Sequence, residues 1–128
     1  MTQPALVGLA FPDPYAFRIL PVGGREAILR VTVPAGYVGF IESVATNWPS
    51  NDQSTWFEWF VDGSRFGDRI FTPVGEQFAL FPAGTLPTPR KFEPPIVIKR
   101  STEFIGQNNS AIPQLFQVFC NGTFYEKL

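Results

Sequence analysis

Ser54-Thr55-Trp56-Phe57-Glu58-Trp59-Phe60-Val61, closed by Asp62-Gly63, is the stretch on which the fold turns. In a β-strand successive side chains point to opposite faces, so Phe57, Trp59 and Val61 share one face while Trp56, Glu58 and Phe60 share the other. Asp-Gly is a strong turn signal and marks the end of the strand. Both faces are mostly apolar. In a lone pair of packed sheets the face toward water should be polar. Trp56 and Phe60 are therefore expected to need cover from the N-terminal arm (residues 1–25), a second protomer or a larger assembly.

Upstream, Glu26 to Val33 alternates in the same way, with Ala27, Leu29, Val31 and Val33 on one side and Ile28, Arg30 and Thr32 on the other. Pro34-Ala35-Gly36 supplies a turn, since proline fixes φ and glycine accepts positive φ. A second strand is predicted over Tyr37 to Thr46, with a bulge at Gly39. Downstream of the central strand, short segments are predicted at Arg69 to Thr72 and Phe78 to Phe81. Between Pro82 and Pro95 five prolines predict a long, stiff surface loop. Ile96-Val97-Ile98 resumes strand character and runs to Phe104-Ile105 with a break near Ser101. Gln114 to Glu126 closes the chain, with Asn121-Gly122 either a hairpin turn or a bulge in one long last strand.

The 14 Phe, 3 Trp and 3 Tyr suit pleated, half-buried strands, and 13 Pro with 11 Gly are too many for long helices. The 128 residues make one ordinary domain. The expected fold is all-β, an antiparallel β-sandwich of jelly-roll type. Residues 1–25, carrying Pro4, Pro12, Pro14 and Pro21, read as an extended Pro-rich N-terminal arm hinged at Gly23-Gly24; residues 26–128 form the single β-sandwich domain. Deleting residues 1–20 is expected to leave that domain folded. Leu6, Leu9, Phe11, Tyr15 and Phe17 of the arm need cover as much as Trp56 and Phe60 do. Together with Pro87, Arg90 and Phe92 of the proline-rich loop they are the expected interface residues.

Ten basic residues balance eleven acidic ones, leaving −1, and the basic residues are scattered, so nucleic acid is not an expected partner. The chain lacks His, which removes Ser-His-Asp and Cys-His catalysis and imidazole metal sites. Its single cysteine, Cys120, cannot form an intrachain disulfide and reads as a small buried hydrophobe. No catalytic residue, metal ligand or cofactor is expected. The N-terminus lacks a signal peptide and no apolar run reaches eighteen residues, so the chain reads as soluble, unsecreted and without a membrane partner. A carboxylate pair, Glu58 and Asp62, has the residue types for glycoside hydrolysis. The structural reading is preferred: Asp62 begins the turn, and Glu58 sits at a wet edge or pairs with an arginine. Alternation separates Trp56 from Trp59, so they cannot form one stacking platform; Trp48, in the loop Asn47 to Gln53, is the candidate ligand-stacking residue.

Val31-Thr32-Val33-Pro34-Ala35-Gly36, Phe40-Ile41-Glu42 with Val44, Phe57 to Gly63, Pro95-Ile96-Val97-Ile98 and Phe119-Cys120-Asn121-Gly122-Thr123-Phe124-Tyr125 resemble, in their order, small jelly-roll accessory proteins of tailed-bacteriophage particles. In that family a bulky aromatic often follows the terminal glycine, where this chain has Thr123. The resemblance implies a non-enzymatic virion protein, made in the host bacterial cytoplasm, that cements or decorates the capsid or occupies the neck. It further implies a homo-oligomer, first of all a trimer, bound to the major capsid or another virion protein. The alternative from the residues alone is a carbohydrate-binding module or host-receptor lectin using Trp48; a small glycosidase comes third.

Overall fold

A computed structural model describes residues 8–75 and 86–128, and in it the alternating stretches become nine strands and no helix. These are β1 (Leu9–Ala10), β2 (Tyr15–Leu20), β3 (Arg25–Thr32), β4 (Tyr37–Thr46), β5 (Thr55–Val61), β6 (Ser64–Arg65), β7 (Arg90–Ile98), β8 (Ser101–Asn108) and β9 (Gln114–Glu126). They form two sheets, both wholly antiparallel and neither closed into a barrel. The first runs β2-β9-β4-β7, with β1 beside β2 on the same edge of β9; the second runs β3-β8-β5-β6. From β2 onward every link except the β5–β6 hairpin carries the chain from one sheet to the other.

The core lies between the sheets. Along β8 burial alternates without a fault, Thr102, Phe104, Gly106 and Asn108 facing in, as a one-sided strand requires. Phe57 of the second sheet meets Phe116 of the first edge to face, with ring centroids 5.3 Å apart. Trp59 stacks on Phe104 at 5.0 Å, and its indole N–H donates to Thr102 Oγ1 at 2.6 Å, so a polar atom brought into the core is satisfied there.

Residues 9–20 are part of this sandwich. Leu9 and Ala10 pair with Phe124 and Thr123, and Tyr15 to Leu20 pair with Phe119 to Gln114. Phe11 is 3% exposed and Leu20 fully buried. Gly122 makes room for Phe11: a Cβ there would stand 2.5 Å from Phe11 Cζ and 2.2 Å from the Phe40 carbonyl oxygen. Phe11 fills the resulting space and lies 4.6 Å from Phe124, ring to ring. Proline does exclude helix from this segment, yet the extended chain it leaves is claimed by the free edge of β9. Gly23-Gly24 is no free hinge either, because Gly23 N–H donates to the Asn108 carbonyl and Asn108 N–H to that of Gly24.

Two further expectations are corrected by register, and one open alternative is decided. Arg90 to Pro95 belongs to β7, although it holds Pro94 and Pro95. β7 is the outer strand of its sheet, and its pairing with β4 jumps from Ile41↔Ile96 to Ser43↔Lys91, so both prolines sit where the ladder is interrupted. The bulge in β4 falls at Glu42, where pairing with both neighbours shifts, and not at Gly39. Gly39 instead permits close packing, since a Cβ would lie 2.6 Å from Ile98 Cγ1. Asn121-Gly122 lies within a single 13-residue β9 and is not a hairpin turn. The break near Ser101 is the two-residue link Lys99-Arg100, and within Arg69 to Thr72 Ile70 alone bridges, to Phe57. The expected strand at Phe78 to Phe81 lies outside the described residues.

Candidate functional site: the outward faces of the two sheets

On the second sheet Trp56, Glu58 and Phe60 face outward, as alternation demands. Glu58 nonetheless is only 7% exposed, bonded to Arg25 and with Arg65 3.5 Å away. The hydrogen bond from Arg25 is the main reason its carboxyl is held below the usual carboxylate range. Trp56 donates its indole N–H to Glu58 at 3.3 Å, packs 5.8 Å from Phe71 and carries the Arg69 guanidinium 4.5 Å over its ring. Phe71 and Arg69, and not the N-terminal arm, thus supply much of the cover that was expected from that arm or from a partner. Asp62 sits at φ 51° in the turn after β5, a left-handed conformation that Asp tolerates. Its carboxylate accepts the backbone N–H groups of Lys99, Arg100 and Ser101 at 2.6–3.1 Å. Partial desolvation works against ionisation as the largest single influence, but those amides together hold its carboxyl pKa below the usual carboxylate range. Both carboxylates of the pair considered for hydrolysis are therefore engaged in holding the fold.

The first sheet presents a different surface. In β2, Ala16, Arg18 and Leu20 pair with inward residues of β9, so Tyr15, Phe17 and Ile19 point out, 43%, 59% and 68% exposed. Their partners across the ladder are Phe119, Gln117 and Leu115. The Tyr15 and Phe17 rings are 6.0 Å apart. Gln117 donates from Nε2 to the Tyr15 hydroxyl at 2.8 Å, while its buried Oε1 has no hydrogen-bond partner among the described residues. Val22 and Ile112, on links that adjoin the same end of the sheet, are also largely exposed. Strand addition at this edge is discouraged: Pro14 and Pro21 flank β2, and the exposed Arg18 sets a charge along it, 3.7 Å from Glu26. The apolar row is presented outward from the sheet plane.

The remaining expected contact residues divide. Leu9 and Arg90 are exposed, and Trp48 is exposed at the surface of the loop between β4 and β5. Phe11 and Pro87 are buried within the chain, which takes them out of any outer contact. Phe92 is half-buried against Trp59, 5.8 Å from its ring, with the Arg90 guanidinium 5.5 Å from the Phe92 ring centroid. Leu6 lies outside the described residues. Ile19, Val22 and Ile112 were not among the expected contacts; the 15-17-19 alternation was the signal that would have added Ile19. Cys120 is buried, which pushes its thiol up to about 12 and leaves it inert. Set against known proteins, the chain matches no protein-family model and no curated protein.

Proposed function

We propose that this chain is a non-enzymatic structural protein of a tailed-phage virion, a cement or decoration subunit that binds the capsid and is made in the bacterial host's cytoplasm. It assembles as a homo-oligomer, with a trimer the first form to test. Its fold, on this reading, is a jelly roll. The order β2-β9-β4-β7 over β3-β8-β5-β6, with links that cross between sheets at almost every step, is what two interleaved Greek keys produce and supports that reading.

The observation that carries the proposal is the outward row Tyr15, Phe17 and Ile19. Covering roughly 100 Å² on each of the three side chains would contribute about 7 kcal/mol before association costs are subtracted, enough to anchor a contact with a virion protein. The contact residues are thus Tyr15 and Phe17, joined by Ile19, with exposed Leu9 on the same β9 edge and exposed Arg90 on β7 at the far edge of the sheet.

The test compares the natural chain with Phe17→Ser/Ile19→Ser in light scattering and in co-sedimentation with phage particles lacking this subunit. Both substitutions fall on exposed positions, so the variant should fold, run as a monomer where the natural chain runs as an oligomer, and fail to bind. Undiminished particle binding by the folded variant would remove the row from the contact and the reading with it.

A further inference from the structure

We propose that the outward face of the second sheet holds a binding cleft for an acidic saccharide, a site that stands apart from Trp48 and does not depend on the virion reading. Sheet register builds it. Arg30 of β3 pairs with Glu103 of β8, and Glu103 pairs with Phe60 of β5, so a cation, a carboxylate and an aromatic ring lie in one row across three strands. The next row toward the turn carries the hydroxyls of Thr32 and Ser101. These residues, with Ile105, Gly63 and Arg100, line an open cleft of about 480 Å³, within the size range of small-ligand sites.

The chemistry of the lining narrows the ligand. Phe60, half-buried, and Ile105 give an apolar floor, which suits the C–H face of a pyranose ring. Arg30 donates through Nε and a terminal nitrogen to the same oxygen, Oε2 of Glu103. Glu103 Oε1 and the second terminal nitrogen of Arg30 have no side-chain partner among the described residues. The pair therefore presents a fixed acceptor beside a fixed donor, the arrangement that two neighbouring hydroxyls of a sugar can satisfy together. At the other end Arg100 is steadied by one bond, from a terminal nitrogen to the Asp62 carbonyl at 2.7 Å, which leaves most of its fork for a ligand. That end is open, for a Cβ on Gly63 would meet only a terminal nitrogen of Arg100, at 3.9 Å. Among the residues that line the cleft Arg30 and Arg100 stand against Glu103 alone; the Asp62 carboxylate keeps its charge near Arg100 but lies outside the lining, its oxygens turned to three backbone amides. A sugar bearing a carboxylate completes the set: ring on Phe60, hydroxyls on Arg30 and Glu103, carboxylate on Arg100.

Calorimetric titration of the purified chain with glucuronate-terminated and matched glucose-terminated oligosaccharides tests this. Saturable binding of the acidic sugar is expected, about tenfold tighter than the neutral one. Arg100→Gln should bring the two sugars to equal affinity. Phe60→Ala should abolish binding and Phe60→Tyr retain it, each variant being checked for native circular dichroism; should Phe60→Ala fail to fold, Arg30→Gln replaces it and should also abolish binding. No saturable heat at millimolar sugar, equal affinity of the natural chain for both sugars, or binding indifferent to Arg100→Gln would each overturn the proposal.

Discussion

Replacing Asp62 tests how the two sheets are held at their crossing. The link Lys99-Arg100 carries the chain from β7 in one sheet to β8 in the other, and Asp62, in the turn after β5, fastens it through three backbone amides. Hydrogen bonds to a charged acceptor are worth roughly 1.5–3 kcal/mol each when buried; this site is half-exposed and freed amides can turn to water, so about 2–3 kcal/mol is expected for the set. The φ of 51° adds a second effect. Alanine resists that conformation by about 1–2 kcal/mol, glycine does not, and asparagine tolerates it and keeps one acceptor oxygen. The expected losses therefore rise in the order Asp62→Asn, about 1 kcal/mol, Asp62→Gly, about 2 kcal/mol, and Asp62→Ala, about 3–4 kcal/mol. Against a total stability of roughly 5–15 kcal/mol these are large. Urea unfolding with a constant slope measures them. The acidity of Asp62 is raised in the folded state, so its contribution is fully present above its ordinary pKa of 3.8 and fades as pH falls through the lower folded value. The gap between Asp62→Ala and the natural chain should accordingly be flat near neutrality and narrow only below about pH 4, down to the part set by φ. Alanine no worse than glycine, or a gap under about 0.5 kcal/mol at neutral pH, would refute the reasoning.

Gly122→Ala should lower stability by about 2–3 kcal/mol in thermal unfolding, because the new methyl meets both the Phe40 carbonyl and the Phe11 ring. Deleting residues 1–20 should leave a chain without a cooperative unfolding transition, since it strips the β9 edge and removes buried Phe11 and Leu20; a sharp transition would return the segment to the status of a separable arm. Glu58→Gln should cost about 1–3 kcal/mol by leaving Arg25 and Arg65 without their anion. The Glu58 contribution, too, is present above its ordinary 4.5 and lost as pH falls through the depressed folded value, visible as a narrowing gap in unfolding curves. Cys120 should resist a thiol reagent in the native state and react on unfolding; stability should fall as pH rises from the ordinary 9.0 toward about 12, where the unfolded thiol ionises and the buried one does not.

Local alternation made much of this legible. Spacing alone put Phe57, Trp59 and Val61 on one face, and they do share the face turned to the core, because in extended chain the side of a residue depends only on its neighbours. The same rule identified Trp56 and Phe60 as outward without revealing their surroundings. Arg25 and Arg69, 33 and 13 positions away along the chain, come to Glu58 and Trp56 only through strand pairing and loop return.

Sequence by itself determined an all-β chain, the faces of its strands, the turn at Asp62-Gly63 and the absence of histidine chemistry. Tertiary structure alone decided that residues 9–20 complete the β9 edge, that Phe11 occupies the space Gly122 leaves open, that prolines 94 and 95 fit an interrupted outer strand, and that the exposed apolar row is Tyr15, Phe17 and Ile19. The physical reason is range. Side-chain direction is fixed by two or three adjacent residues, whereas burial depends on which distant strand lies alongside, and in antiparallel pairing a shift of one residue turns an entire strand over.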